Sequence, residues 1–318
     1  MISARSMSRV VIAGAGALGK ALATRLCATH EVRAVRASGD LPAPSERLTW
    51  FQADLLALHG AEVAFTGAHT VVLLAQARRA PARLQRASLG DLDLLLADSV
   101  ARAAKLVGAK HLVVFACGDD DARVPLLERS GLPLSILRGG GPDPVEQLAA
   151  LVEAGPSAGS SQTAAWTGAS PEAREPTLPT CSVQRSTCPP GWSAADLARA
   201  YFKWLPGAVP LVKTTERDGV FVVSLAGVRG LVLRLVPGRS TPDCASLAVA
   251  DGLLAGPPAD DSRFEFRVLL DGVTVMTALI GFQPALPWLV YRFTQAIMHE
   301  RVMRRFAAWL SGQKGPPP

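Results

Sequence analysis

The 318-residue chain is short of the side chains that most often do chemistry. It has two tyrosines, Tyr201 and Tyr291, so a phenolic proton donor has only two places to come from. Its five cysteines, Cys27, Cys117, Cys181, Cys188 and Cys244, are odd in number and form no Cys-x-x-Cys pair. That argues against a disulfide framework and a zinc site, and fits a reducing, cytoplasmic setting. The histidines stand apart, so no metal centre is expected. The net charge of +6 comes from scattered arginines, with no basic run interleaved with aromatics, and nucleic-acid binding is not expected. No apolar run reaches the roughly 18 residues of a membrane-spanning helix. The apolar stretch after Arg5 and Arg9 does not read as a secretory signal, because it holds three glycines and continues as an amphipathic helix.

What the chain does have is apolar bulk, 49% of its residues, and enough length for two domains. Over the first 140 residues, strand and helix patterns alternate. Short apolar runs at Arg9–Ala13, Glu31–Val35, Leu48–Gln52, Thr70–Ala75, His111–Ala116 and Leu134–Leu137 read as strands buried on both faces. Alanine- and leucine-rich stretches at Ala17–Thr29 and Asp91–Val107 read as helices between them. This is the pattern of an α/β fold with a doubly wound parallel sheet.

Residues 154–192 break the pattern with Gly, Pro, Ser and Thr and no apolar period. A disordered surface loop, a mobile insertion over a site and a shifted reading frame are all open for this segment. Order resumes at "WSAADLARAYFKWL", with Ser193 as N-cap and Asp196 in the first turn. Further apolar runs follow at Val220–Leu225, Leu231–Val236, Phe264–Leu270 and Val273–Phe282. The last two read as a hairpin turning at Asp271-Gly272. The chain then carries "LPWLVYRFTQAIMHERVMRRFAAWL", an amphipathic helix with Pro287 in its first turn. Together these suggest a smaller C-terminal α+β domain over 208–312.

The first strand runs into Gly14-Ala15-Gly16-Ala17-Leu18-Gly19, a complete G-x-G-x-x-G. Gly14 permits a tight turn, Gly16 lets backbone approach a diphosphate, and Gly19 lets helix and strand pack closely. The N–H groups of the helix that follows would face the phosphates. At the end of the second strand, where a carboxylate would favour NAD, stands Arg36. A guanidinium suits the 2′-phosphate of NADP, although a solvated surface arginine is the plain alternative. Asp54, after the third strand, is placed either to meet the adenine edge or to cap the next helix. Ala75 ends the fourth strand as a further cofactor-binding candidate, and Gln76 follows it, placed near the nicotinamide ribose or phosphates.

Several segments together resemble the short-chain dehydrogenase/reductase superfamily in its atypical, NmrA-like branch. They are "VVIAGAGALGKAL", "HEVRAVRAS", "FQADLLAL", "GAHTVVLLAQA", "AAKLVGAKHLVVFACG", "LLERSGLPLSILRGGGP" and "WSAADLARA". The resemblance covers residues 8–205, interrupted by 154–192. It implies a Rossmann-like NAD(P)-binding domain over that range, often with reductase or epimerase-like activity. The departures are specific. The family's Tyr-x-x-x-Lys has no counterpart, and its segment is contracted to "DDDARVPLLERS". The serine expected after the fifth strand is replaced by Ala116-Cys117-Gly118, the family's Gly by Ala13, and its Arg-Pro-Gly turn by Arg138–Gly141. In this family the tyrosine moves the substrate proton and the lysine lowers its pKa, so ordinary carbonyl reduction lacks its acid here.

Cys117 is the one weak catalytic candidate, with a buried, inert thiol as the alternative. Asp119, Asp120 and Asp121 read as a solvated acidic loop, or as carboxylates that raise one another's pKa. The C-terminal region resembles, more faintly, the helix-grip (START-like) domains appended to some members of the branch, which implies an apolar ligand between sheet and helix. The alternative is that Trp288, Phe293, Ile297, Met303, Phe306 and Trp309 form core or an interface; His299 and Arg304 read as surface residues. The expectation is therefore an NADP-preferring (or NAD-using) oxidoreductase-like protein, with a small-molecule substrate or apolar ligand as partner and a homodimer left open. The competing expectation is a non-catalytic dinucleotide-binding redox sensor or assembly partner.

Overall fold

The computed structural model describes residues 8–76, 87–116, 118, 120–138, 143–156, 181–256, 262–283, 285 and 295–315. The chain forms two compact units, one of Met1–Arg78 with Leu92–Pro176, the other of Arg79–Asp91 with Thr177–Pro318.

The first unit is built on six parallel strands: β1 (Arg9–Ala13), β2 (Glu31–Arg36), β3 (Leu48–Gln52), β4 (Thr70–Leu73), β5 (His111–Ala116) and β6 (Leu134–Arg138). Their order is β3-β2-β1-β4-β5-β6. Chain order reverses between β1 and β4, the topological switch point beside which doubly wound sheets bind ligands. The helices are α1 (Ala17–Leu26), α2 (Leu58–Phe65), α3 (Leu89–Leu106), α4 (Arg123–Glu128) and α5 (Pro144–Ala154). Along β1, Val10 and Ile12 pack with Leu22 and Leu26 of α1 and Leu148 of α5. Val11 points to the opposite face and is equally buried, as are Val71, Leu112 and Val114. Burial on both faces is why these strands read as unbroken apolar runs rather than alternating ones. This is the Rossmann-like, doubly wound fold expected from the sequence.

The second unit holds an antiparallel sheet of seven strands: β7 (Cys181–Thr187), β8 (Val212–Arg217), β9 (Val220–Leu225), β10 (Val228–Leu235), β11 (Cys244–Asp251), β12 (Arg263–Val268) and β13 (Thr274–Ile280). Their order is β7-β13-β12-β11-β10-β9-β8. The helices α6 (Ala194–Ala208) and α7 (Gln295–Ser311) supply Leu197, Tyr201, Phe202, Leu205, Met303, Phe306 and Leu310 to one core with Phe264 and Phe266 of β12. Tyr201 meets the rings of Phe202, Phe264 and Phe306 at centroid distances of 5.1–5.5 Å. Ser193 caps α6 as read from the sequence, in a full capping box with Asp196. The hairpin at Asp271-Gly272 also forms, with Asp271 Oδ1 accepting from the Val273 and Thr274 amides.

Two boundaries are corrected. The first unit does not extend to residue 205: β7 pairs with β13 along its whole length, from Thr187↔Thr274 to Cys181↔Ile280, and α6 packs on strands of the second sheet. The irregular segment of 154–192 therefore contains a strand, hidden because Ser182, Gln184 and Ser186 alternate with Cys181, Val183 and Arg185 without an apolar run. Residues 157–180 lie outside the described residues. The second unit is also richer in strands than expected, since β8 and β11 were not foreseen. Met303 and Phe306 join the core, and the half-buried Trp309 packs against it. Trp288, Phe293 and the Ile297 side chain lie outside the described residues. Arg304 is exposed as expected, whereas His299 is half-buried with its ring edge toward Phe264.

Candidate dinucleotide site at the edge of the parallel sheet

The turn after β1 is tied down from both sides by backbone. The Gly14 and Ala15 amides both donate to the Val35 carbonyl of β2, at 3.2 and 2.9 Å. The Leu74 and Ala75 amides donate to the Ala13 carbonyl at 2.9 and 2.8 Å. Gly14 sits at φ +107°, and a Cβ there would lie 2.3 Å from the Ala75 amide nitrogen. A Cβ on Gly19 would lie 2.4 Å from the Gly14 carbonyl oxygen. Both glycines are thus required by close backbone approach, the first between turn and β4, the second between turn and helix.

Gly16 is the N-cap of α1, with extended backbone and no side-chain cap, and the first turn holds no acidic residue. The first intrahelical bond runs from the Lys20 amide to the Gly16 carbonyl, at 2.8 Å. The amides of Ala17, Leu18 and Gly19 precede it and have no acceptor within the helix. Ala17 is exposed and Leu18 half-buried. The arrangement can accept an anion on backbone N–H groups aided by the helix dipole.

The other sequence-derived residues stand on the same C-terminal edge. Ala75 touches the turn, and Gln76 follows it, half-buried. Arg36 closes β2, and its Nη1 donates to the Asp40 carbonyl at 2.9 Å, so the guanidinium lies along the β2–β3 loop. Asp54 follows β3; its Oδ1 accepts from the Leu56 amide at 2.9 Å and turns the chain toward α2. Cys117 lies outside the described residues, immediately after β5.

One residue pair escaped the sequence reading. Arg123 of α4 is 2% exposed and holds the Asp121 carboxylate at 2.6 Å through Nη2. Its Nη1 donates to the Ala75 carbonyl and its Nη2 to that of Phe115, both at 3.0 Å. A single buried guanidinium thereby ties the end of β4 to β5. Asp121 belongs to this clamp, which corrects the solvated-loop reading for that residue. Arg138 Nη1 donates to the Gly118 carbonyl at 3.1 Å, bracing the segment after β5 from β6. The available sequence signal was periodicity: Arg123 shares the buried face of α4 with Leu126 and Leu127.

No protein-family model matches the chain. It aligns over 304 residues, at 21% identity, with the auxiliary protein GraX of Staphylococcus aureus, covering 94% of this chain and 92% of that protein. Among solved structures it is similar to the Bordetella bronchiseptica enzyme WbmG in complex with NAD, with 23% identity, 44% of this chain, 56% of that chain and a TM-score of 0.36. It is also similar to uronate dehydrogenase from Agrobacterium tumefaciens, with 18% identity, 52% of this chain, 77% of that chain and a TM-score of 0.40. The match to WbmG therefore spans little more than half of that enzyme. The strand order β3-β2-β1-β4-β5-β6 and the glycine turn after β1 define the fold of the first unit.

The tyrosine question has a structural answer for one of the two candidates. Tyr201 is enclosed by the rings of the second unit's core, and burial pushes its phenol far above its ordinary range. It is a packing residue. Tyr291 lies outside the described residues.

Proposed function

We propose that the first unit binds a nicotinamide dinucleotide with its diphosphate on the Gly14–Gly19 turn and that the protein is oxidoreductase-like. The observation that carries this reading is the turn itself: glycines that backbone contact makes irreplaceable, opening on a helix N-terminus that no side chain caps. Arg36 supports a preference for NADP, because its Nη1 bond to a loop carbonyl leaves other guanidinium donors to meet a phosphate at the end of β2. Asp54, Ala75 and Gln76 complete the proposed cofactor-binding set along the sheet edge. The substrate in this reading is a small organic molecule. The reducing, cytoplasmic setting read from the cysteine count and spacing belongs to the same reading.

A second reading, dinucleotide binding without turnover, is favoured by one specific feature. The chain has no Tyr-x-x-x-Lys, and the segment where the resemblance would place it carries the Arg123–Asp121 clamp instead. Calorimetric titration with NADPH and NADH tests the shared claim. NADPH should bind more tightly, and Arg36→Ser should remove the difference; binding of neither nucleotide refutes both readings. NADPH consumption over a panel of carbonyl substrates separates them. Turnover abolished by Cys117→Ala supports the enzyme, and binding without any turnover supports the sensor.

A further inference from the structure

The second unit contains two hairpins with the same two-residue turn geometry and opposite chemistry. Between β8 and β9 the turn is Asp218-Gly219, with φ of +52° and +75°. Between β9 and β10 it is Ala226-Gly227, with φ of +50° and +84°. Turns with positive φ at both positions favour Asn or Asp before Gly, because those side chains tolerate the left-handed region best. The second turn uses alanine there, and its whole tip, Leu225-Ala226-Gly227-Val228, is exposed.

Two further apolar residues adjoin this tip. Leu211 is 73% exposed and itself at φ +64°, and its carbonyl accepts from the Ala226 amide at 2.9 Å. Leu253 is 67% exposed, and its amide donates to the Arg229 carbonyl at 3.1 Å. One end of the sheet therefore presents Leu211, Leu225, Val228 and Leu253 on turns, two of which hold non-glycine residues in a costly backbone region. Among the described residues, the charges bonded to or flanking this end are Lys213, Arg229 and Arg305 against Asp251. Arg305 reaches the Ala208 carbonyl at 3.1 Å, three residues before Leu211, and Arg229 pairs with Asp251 at 3.2 Å.

We propose that this tip is a membrane-docking surface, which places its four apolar side chains at the headgroup–acyl boundary of an anionic phospholipid bilayer while the flanking cations meet the lipid phosphates. The net positive charge of these described residues complements an anionic surface, and a chain carrying +6 overall adds long-range attraction. Four side chains on narrow turns suit shallow insertion between lipids. They fall well short of the roughly 20–30 residues a side that a stable protein complex uses.

The test is sedimentation of the full chain with vesicles of phosphatidylcholine containing about one third phosphatidylglycerol, against phosphatidylcholine alone. The protein should pellet with the anionic vesicles and much less with the neutral ones. Leu211→Asp/Val228→Asp should weaken binding at least about tenfold with Tm unchanged. Leu253→Asp, on a separate turn, should weaken it independently if the first variant folds poorly. Ala226→Asn should raise Tm, because Asn tolerates the turn better, while it reduces vesicle binding. Failure of the wild-type protein to pellet, or equal pelleting by wild type and folded variants, overturns the proposal. So does a concentration-dependent dimer that Val228→Asp dissociates without any vesicle binding.

Discussion

Replacing Arg123 by methionine is the sharpest perturbation of the first unit. The guanidinium is 2% exposed and the Asp121 side chain 7%, so water cannot stand in for either partner. Removing the cation strips a buried carboxylate of its paired guanidinium and leaves it the Arg123 backbone amide, which costs about 3–5 kcal/mol. The carbonyls of Ala75 and Phe115 lose a donor as well, at about 1–3 kcal/mol each where no water reaches them. The sum is at least about 5 kcal/mol, comparable to the whole stability of a modest domain. Hydrogen exchange of β4 and β5 peptides in increasing urea reads this unit directly. Arg123→Met should collapse protection there, and Asp121→Asn should do so to a lesser degree. The double variant should be less damaged than the two single losses added together, because the second change removes the charge the first left stranded. Additive losses, or protection within about 1 kcal/mol of wild type in Arg123→Met, would refute the clamp.

Three other outcomes follow from the geometry. Gly14→Ala must place a Cβ 2.3 Å from the Ala75 nitrogen at φ +107°, so it should cost about 3 kcal/mol or more, seen as a lowered Tm, and abolish NADPH binding. Ser193→Ala removes the cap of α6 and should cost about 1 kcal/mol in denaturant unfolding; the Asp196 carboxyl, held below its ordinary range chiefly by the Ser193 hydrogen bond, should return toward it in an NMR titration. His111 is fully buried with Nε2 2.9 Å from Ser135 Oγ and no partner on Nδ1 among the described residues, and burial, aided by His69, lowers its pKa. Its neutral form is the folded one, so the unfolded chain binds the extra proton: stability should be intact above pH about 6.5 and fall as pH drops below it. His111→Asn should flatten that slope, and an unchanged pH profile would contradict the assignment.

The central strands β1, β4 and β5 were legible because burial on both faces writes them as continuous apolar runs; β1, β3 and β5 fall within the limits read from sequence. The glycine turn was legible because its spacing is a local pattern, although only Gly19 answers a near neighbour, Gly14, while Gly14 answers the distant backbone of Ala75. What stayed hidden depends on distant partners. β7 pairs with a strand almost a hundred residues later, and its Ser, Thr and Gln residues carry no apolar period to announce it. On β12, Phe264 and Phe266 mark a half-buried strand, yet Arg263, Glu265 and Arg267 on its other side are buried too, as a mutually paired group. Arg123 escaped the sequence reading for the same reason: charge reads as solvent exposure unless the carboxylate and carbonyls that meet it are known.

A crystal structure grown with NADPH would show directly where a dinucleotide's phosphates rest. The diphosphate oxygens should lie about 3 Å from the amides that open α1, at Gly16, Ala17 and Leu18, with the 2′-phosphate beside Arg36. A nucleotide bound elsewhere, or a turn left empty at saturating NADPH, would contradict that placement.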